Sequence, residues 1–162
     1  MKLLYVTCLF FSTLRLQAQR VSVKFNANAI LVLERVPFSA VGKSLKYYPS
    51  KETNERRSVA SINGKPFFGS DGEVPRYTLA KAVLLLNGRP YKLRVDRMYN
   101  PWFGNSDKDY PNKREFRLLK KGSKYKLRGM FSDGAGGYVA EWQFTGKSFV
   151  RTVLTNDETF FF

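Results

Sequence analysis

The stretch from Tyr125 to Leu154 restricts the fold more than any other part of the chain. It reads strand, glycine turn, strand, glycine turn, strand. Tyr138, Ala140, Trp142 and Phe144 fall on one side of an extended backbone, and Val139, Glu141 and Gln143 fall on the other. Alternation with period two marks a half-buried strand. Asp133-Gly134-Ala135-Gly136-Gly137 precedes that strand and Thr145-Gly146-Lys147 follows it. Their glycines reach the positive φ that tight hairpins need. Ser148 to Leu154 then supplies a β-branched strand, so this part of the chain is expected to be an antiparallel meander.

The remainder carries the same signals at lower contrast. Val21 to Phe25 alternates. Ala29 to Val36 is an apolar run stopped by Pro37; a buried strand and a short buried helix both fit, and the β-branched residues and the proline favour strand. Val41 to Ser58 reads as a surface loop with room for one helical turn. Arg57 to Ile62 leads into Asn63-Gly64, a hairpin signal, with Pro66-Phe67-Phe68 beyond it. Tyr77 to Leu86 has helix-forming Ala, Leu and Lys, yet Asn87-Gly88 follows at once and Tyr91, Leu93 and Val95 alternate after it. A hairpin explains both halves, a helix only the first. Glu115 to Leu119 and Lys124 to Phe131 form a basic hairpin around Lys121-Gly122-Ser123. About ten short strands result, and the expected fold is all-β: an antiparallel β-sandwich or a barrel-like meander. At 162 residues the chain suits one domain, of a size that buries roughly 70% of its unfolded surface.

The start of the chain reads as a secretory signal over residues 1–18. Lys2 gives the charged start, Leu3 to Leu14 the apolar run, and Ala18 the small residue before a cut that leaves Gln19 first. Leu16 and Arg15 depart from the usual pattern, and a first core strand or an amphipathic start is the competing reading. Residues 19–162 are then a single β-rich domain, exported to the periplasm, the outer surface or the medium. Cys8, the only cysteine, leaves with the signal. Export without disulfides suits a bacterial envelope protein. No other segment approaches about twenty apolar residues, so no membrane span is expected. A small outer-membrane barrel is disfavoured, because Phe162, Phe160, Glu158 and Asn156 do not alternate as a lipid-facing strand does.

Charge and missing side chains narrow the chemistry. The chain has 28 Lys and Arg against 13 Asp and Glu, a formal charge of +15. Loss of Lys2 and Arg15 with the signal, and of no acid, leaves +13. There is no histidine, so the usual general base and the commonest transition-metal ligand are missing. Without cysteine, thiol nucleophiles and structural zinc are closed too. Glu34, Asp96, Asp133 and Glu141 lie in or beside strands and are the candidates for a carboxylate pair of the kind that hydrolyses glycosides. The competing reading of Glu141 is a solvent-facing residue paired with a neighbouring Lys or Arg. Asn105, Asp107 and Asp109 open like a calcium loop, but Tyr110 and Phe116 stand where the turn glycine and the bidentate glutamate belong. No metal site and no cofactor are expected. Gly134-Ala135-Gly136-Gly137 precedes a strand, whereas phosphate cradles precede a helix N-terminus.

Two groups of residues remain as candidates for binding. Lys113 to Arg128 holds eight Lys or Arg. Lys124, Lys126 and Arg128 share one face of their strand, with Arg117, Lys120 and Lys121 before them. A polyanion-binding strip and a solvated face that guards a sheet edge both fit; the uncompensated charge favours the strip. Tyr99, Trp102 and Phe103 sit in an aromatic loop. Exposed, they are a stacking platform for sugar rings or a protein hot spot; in the competing reading Met98 and Trp102 plug one end of the sandwich.

Ile62-Asn63-Gly64-Lys65-Pro66, Asp71-Gly72 with Pro75, Met98-Tyr99-Asn100-Pro101-Trp102, and Asp133-Gly134-Ala135-Gly136 leading to Trp142 together resemble small exported proteins of Bacteroidetes-type bacteria. The resemblance implies export and a β-fold and carries over no catalytic residue. The expected function is non-enzymatic binding of an anionic glycan or other envelope polymer. The alternatives are an inhibitor or immunity-type module for an acidic protein partner, and a carboxylate-based glycan hydrolase. Nucleic acid is the weakest polyanion candidate, since an exported protein seldom meets it.

Overall fold

The computed structural model describes residues 18–49, 58–101, 115–132 and 134–161. They form ten strands: β1 (Gln19–Asn26), β2 (Ala29–Pro37), β3 (Leu45–Tyr47), β4 (Val59–Ile62), β5 (Tyr77–Leu86), β6 (Arg89–Lys92), β7 (Phe116–Lys121), β8 (Lys124–Phe131), β9 (Tyr138–Phe144) and β10 (Phe149–Thr155). The protein is all-β, with three antiparallel sheets. The first runs β1-β2-β5-β6, the second β10-β9-β8-β7, and β3 pairs with β4 alone. Among the described residues no helix is long and apolar enough to cross a membrane.

Both four-stranded sheets turn one face to a shared core, which makes the architecture a sandwich. Val23, Leu31, Leu33, Leu79 and Leu84 come from the first sheet; Phe116, Leu127, Ala140, Trp142 and Phe149 come from the second. Trp142, Tyr138 and Phe131 are fully buried, and burial of each such side chain is worth roughly 1.5–3 kcal/mol. Phe131 stacks on Tyr138 at an interplanar angle of 15° and meets Trp142 edge-on. The polar ends of these rings are satisfied. Trp142 Nε1 donates to the Arg94 carbonyl at 3.0 Å, and the Tyr138 hydroxyl donates to the Tyr99 carbonyl at 3.2 Å.

The hairpins carry the expected turn chemistry. Asn63 and Gly64 have φ of 53° and 70°, and Asn87 and Gly88 of 52° and 77°, the values of turns whose twist matches that of the strands. Asn87-Gly88 joins β5 to β6, so Tyr77 to Leu86 is a strand throughout. Asn63-Gly64 closes only a single bridge, Ile62 to Lys65, and no strand follows it. The segment read as loop from Val41 contains β3; Leu45, Lys46 and Tyr47 pair with Ile62, Ser61 and Val59. Three residues are too few for alternation to register in the sequence. Residues 50–57 and the Asn105–Asp109 loop lie outside the described residues.

A polar latch joins the sheets beyond the core. Arg151 points inward beside its cross-strand partner Trp142, with its side chain 4% exposed. It donates to the Asp96 carbonyl at 2.8 Å and to Asp96 Oδ1 at 2.9 Å. Arg94 reaches both oxygens of the same carboxylate. The latch binds the segment after β6 to β10.

Two predictions follow from this packing. A Cβ on Gly129 would stand 2.8 Å from the rings of both Phe116 and Phe131, and overpacking of that kind costs about 1–3 kcal/mol. Gly129→Ala is expected to lower the denaturation midpoint accordingly without loss of the β-sheet spectrum. The hydrogen bond from Arg94 holds Asp96 below the ordinary carboxylate range, helped by the charges of Arg151, Arg94 and Arg97. The stabilisation is present above the unfolded pKa, about 3.9, and is lost as pH falls through the lower folded value. The carboxylate is 41% exposed, so screening limits the effect to about 1 kcal/mol. Wild type is expected to be more stable than Asp96→Asn near neutral pH in chemical denaturation, with the gap closing in strong acid.

Candidate functional site

Register decides which cations share a face. Gly122-Ser123 is a two-residue turn, so Lys121 stands opposite Lys124, Leu119 opposite Lys126, and Arg117 opposite Arg128. The next strand continues the rows: Lys126 faces Gln143, and Arg128 faces Glu141. Inward positions alternate with these. Phe116, Leu127, Ala140 and Trp142 enter the core, which forces the intervening side chains onto the outer face. Arg117, Lys121, Lys124, Lys126 and Arg128 therefore lie on one surface, the outer face of the second sheet.

Among the described residues, Glu141 on β9 sits among them. Glu141 Oε1 lies 3.0 Å from Arg128 Nε, and Oε2 lies 3.2 Å from Lys126 Nζ. Pairing with neighbouring cations is as the sequence suggested, but Glu141 does not face solvent: it is 7% exposed. The cations partly cover it, and the chain end covers the row beside it. Phe160 lies against Arg128, 5.9 Å from its guanidinium carbon, and Phe161 packs on Gly137. Val139 is fully buried although it shares the outer face. Among the described residues, the outward positions of β7, β8 and β9 carry five cations and one carboxylate.

The other sequence candidates are placed elsewhere. Lys120 pairs with Tyr125, takes the inward-facing side at the edge of the sheet, and lies 5.5 Å over the Tyr125 ring. Tyr99 is 8% exposed and belongs to a small second core with Val59 and Ile62. Phe38 and Phe67 meet it edge-on. It is a core residue, and its ring offers no open face for a sugar. The backbone around it is tight: a Cβ on Gly69 would fall 1.9 Å from the Tyr99 carbonyl oxygen. Trp102 and Phe103 lie outside the described residues.

Among the described residues, the carboxylates considered for hydrolysis do not converge. Glu34 is on the outer face of the first sheet, Glu141 is on the outer face of the second, and Asp96 is in the latch; Asp133 lies outside the described residues. A depression of about 390 Å³ does hold two acids that pattern reading missed, Asp71 and Glu73, together with Arg35 and Arg76. Asp71 and Glu73 are exposed, whereas a general acid in glycoside hydrolysis works from a dry, apolar setting. With two acids and two arginines the depression is close to charge balance. It is not an anion trap. Among the described residues no group of three or more His, Cys, Asp or Glu could hold a metal ion.

Comparison with known proteins finds no matching family model, no similar curated protein and no similar solved structure.

Removal of the Glu141 charge is expected to move stability and binding in opposite directions. Glu141→Gln removes the carboxylate charge that Arg128 and Lys126 face, for a loss of about 1–3 kcal/mol in chemical denaturation. It also takes one negative charge from the strip, so retention on an anionic column is expected to move to higher salt.

Proposed function

We propose that the protein is an exported, non-enzymatic binder of an anionic polymer, such as an acidic glycan or another polyanion of the bacterial envelope. The binding surface is the outer face of β7 and β8, through Arg117, Lys121, Lys124, Lys126 and Arg128. One observation carries this reading. Lys121 stands directly opposite Lys124 beside the hairpin turn, with Arg117 and Lys126 on the same face. Like charges directly opposite destabilise a sheet, and an anion bridging them turns that repulsion into attraction. A face that only needed solvation would gain from alternating signs.

The spacing suits a polymer. The cations extend along two adjacent strands around the exposed Leu119, and a strip presents repeated point charges to a chain of repeated anions. The export part of the reading rests on Lys2, the Leu3 to Leu14 run and Ala18, with β1 beginning at Gln19. The missing histidine and cysteine of residues 19–162 support binding over catalysis.

The test uses a sulfated or phosphorylated polysaccharide, with a neutral glucan as control. Wild type is expected to bind the anionic polymer alone, with affinity falling steeply as salt screens the charges. Lys121→Glu with Lys124→Glu is expected to weaken binding by about tenfold or more, with a shallower salt dependence and an unchanged melting temperature. Equal binding by the variant, or tight binding that ignores salt, removes the strip as the site.

A further inference from the structure

The outer face of the first sheet is apolar at its centre. A solvated face of an antiparallel sheet is normally polar. Here the outward positions of the two central strands are Ile30 and Val32 on β2, and Leu85 and Val83 on β5. Ile30 stands opposite Leu85, and Val32 opposite Val83, so the four form a contiguous square. They are only half-buried and belong to neither core cluster. This is why β2 and β5 read as unbroken apolar runs instead of alternating. The comparable residue on the second sheet, Val139, is fully buried, with Phe160 and Phe161 on neighbouring residues of that face.

Cations surround the square. Lys24 stands beside Ile30, and Lys92 beside Val83. At one end Arg20 and Lys81 flank Glu34 in a single cross-strand row. All four cations are exposed. A shallow depression of about 480 Å³ joins Val83 to Lys81, Pro90 and Lys92. Whatever covers this face must be apolar at its centre and negative at its margin.

We propose that this face seats on an anionic lipid bilayer surface. The aliphatic square meets the boundary between headgroups and acyl chains, and Arg20, Lys24, Lys81 and Lys92 meet the headgroups. A second copy of the chain is disfavoured, because it would bring two cationic margins together. A protein partner is disfavoured by the residues present: protein interfaces concentrate aromatics and Arg and are depleted in Lys, whereas this face has no aromatic and three lysines. Lysine stems lie along apolar surface while their ammonium groups reach outward, and basic residues at a bilayer are drawn to anionic headgroups. The polymer strip is on the opposite side of the sandwich, so one molecule holds lipid on one face and polymer on the other.

Sedimentation with phosphatidylglycerol–phosphatidylcholine vesicles tests this, with pure phosphatidylcholine vesicles and a soluble anionic polysaccharide as controls. Wild type is expected to bind the mixed vesicles. Val32→Thr with Val83→Thr keeps β-branching and size, and is expected to lower vesicle binding about tenfold with polysaccharide binding unchanged. Lys121→Glu with Lys124→Glu is expected to keep most vesicle binding and lose the polysaccharide. Should the threonine variant unfold, Lys81→Glu with Lys92→Glu, both on the exposed margin, is read in its place with the same expectation. Vesicle binding unaffected by either first-sheet variant overturns the proposal. So does a wild-type dimer that the threonine variant dissociates, which would assign the face to a second copy.

Discussion

Burial of Phe131, Tyr138 and Trp142 between the sheets fixes which side of every C-terminal strand meets water. Side chains on a strand alternate between two faces, so a slip of one residue exchanges the whole set. In this protein the slip would drive Lys126, Arg128 and Gln143 into the core and expel Leu127 and Trp142. Unpaired charge in an apolar interior costs several kcal/mol per group, which no alternative pairing recovers. The cationic surface is therefore a consequence of aromatic packing: the core holds the register, and the register lines up the charges. Gly129 belongs to the same constraint, because it leaves room for Phe116 and Phe131 to meet edge-on.

The two outer faces solve the problem of an open sheet differently. The second sheet carries charge at β7 and β8, one buried counter-charge at Glu141, and the chain end against its apolar rows. The first sheet carries four aliphatic side chains at its centre and keeps charge for its margins. Cations at edges discourage sheet-to-sheet association, and both faces have them. What differs is the middle of each face: β7 and β8 present mostly cations there, and the first sheet presents an apolar square with a cationic rim.

Much of this is legible in the sequence alone. Alternation at Tyr138 to Phe144 and the pair of Asn-Gly turns is enough to set the fold class, because both signals are local. The common face of Lys124, Lys126 and Arg128 is legible for the same reason. Partners across strands are not. Glu141 meets Lys126 and Arg128 only because the turn before β9 sets its register, and turn length leaves no mark in period-two patterning. Tyr99 shows a different limit. An aromatic residue beside Pro101 looks the same whether its ring is exposed or buried, and the contacts that bury it come from Phe38 and Phe67, distant in the chain. The pairing of β3 with β4 is hidden because three residues cannot display a period. The acids at Asp71 and Glu73 stand in a turn cluster, where carboxylates are routine, so nothing marks them as lining a depression with Arg35 and Arg76.

The claim that the register-aligned cations of β7 and β8 form the anion-binding surface has a direct test. Backbone amide shifts of the folded protein can be followed by NMR during titration with a short, defined anionic oligosaccharide. The account predicts saturating shifts at Arg117, Lys121, Lys124, Lys126 and Arg128, with residues 69–76 unmoved. Shifts that gather at Asp71, Glu73 and Arg76 and leave β7 and β8 unchanged would contradict it.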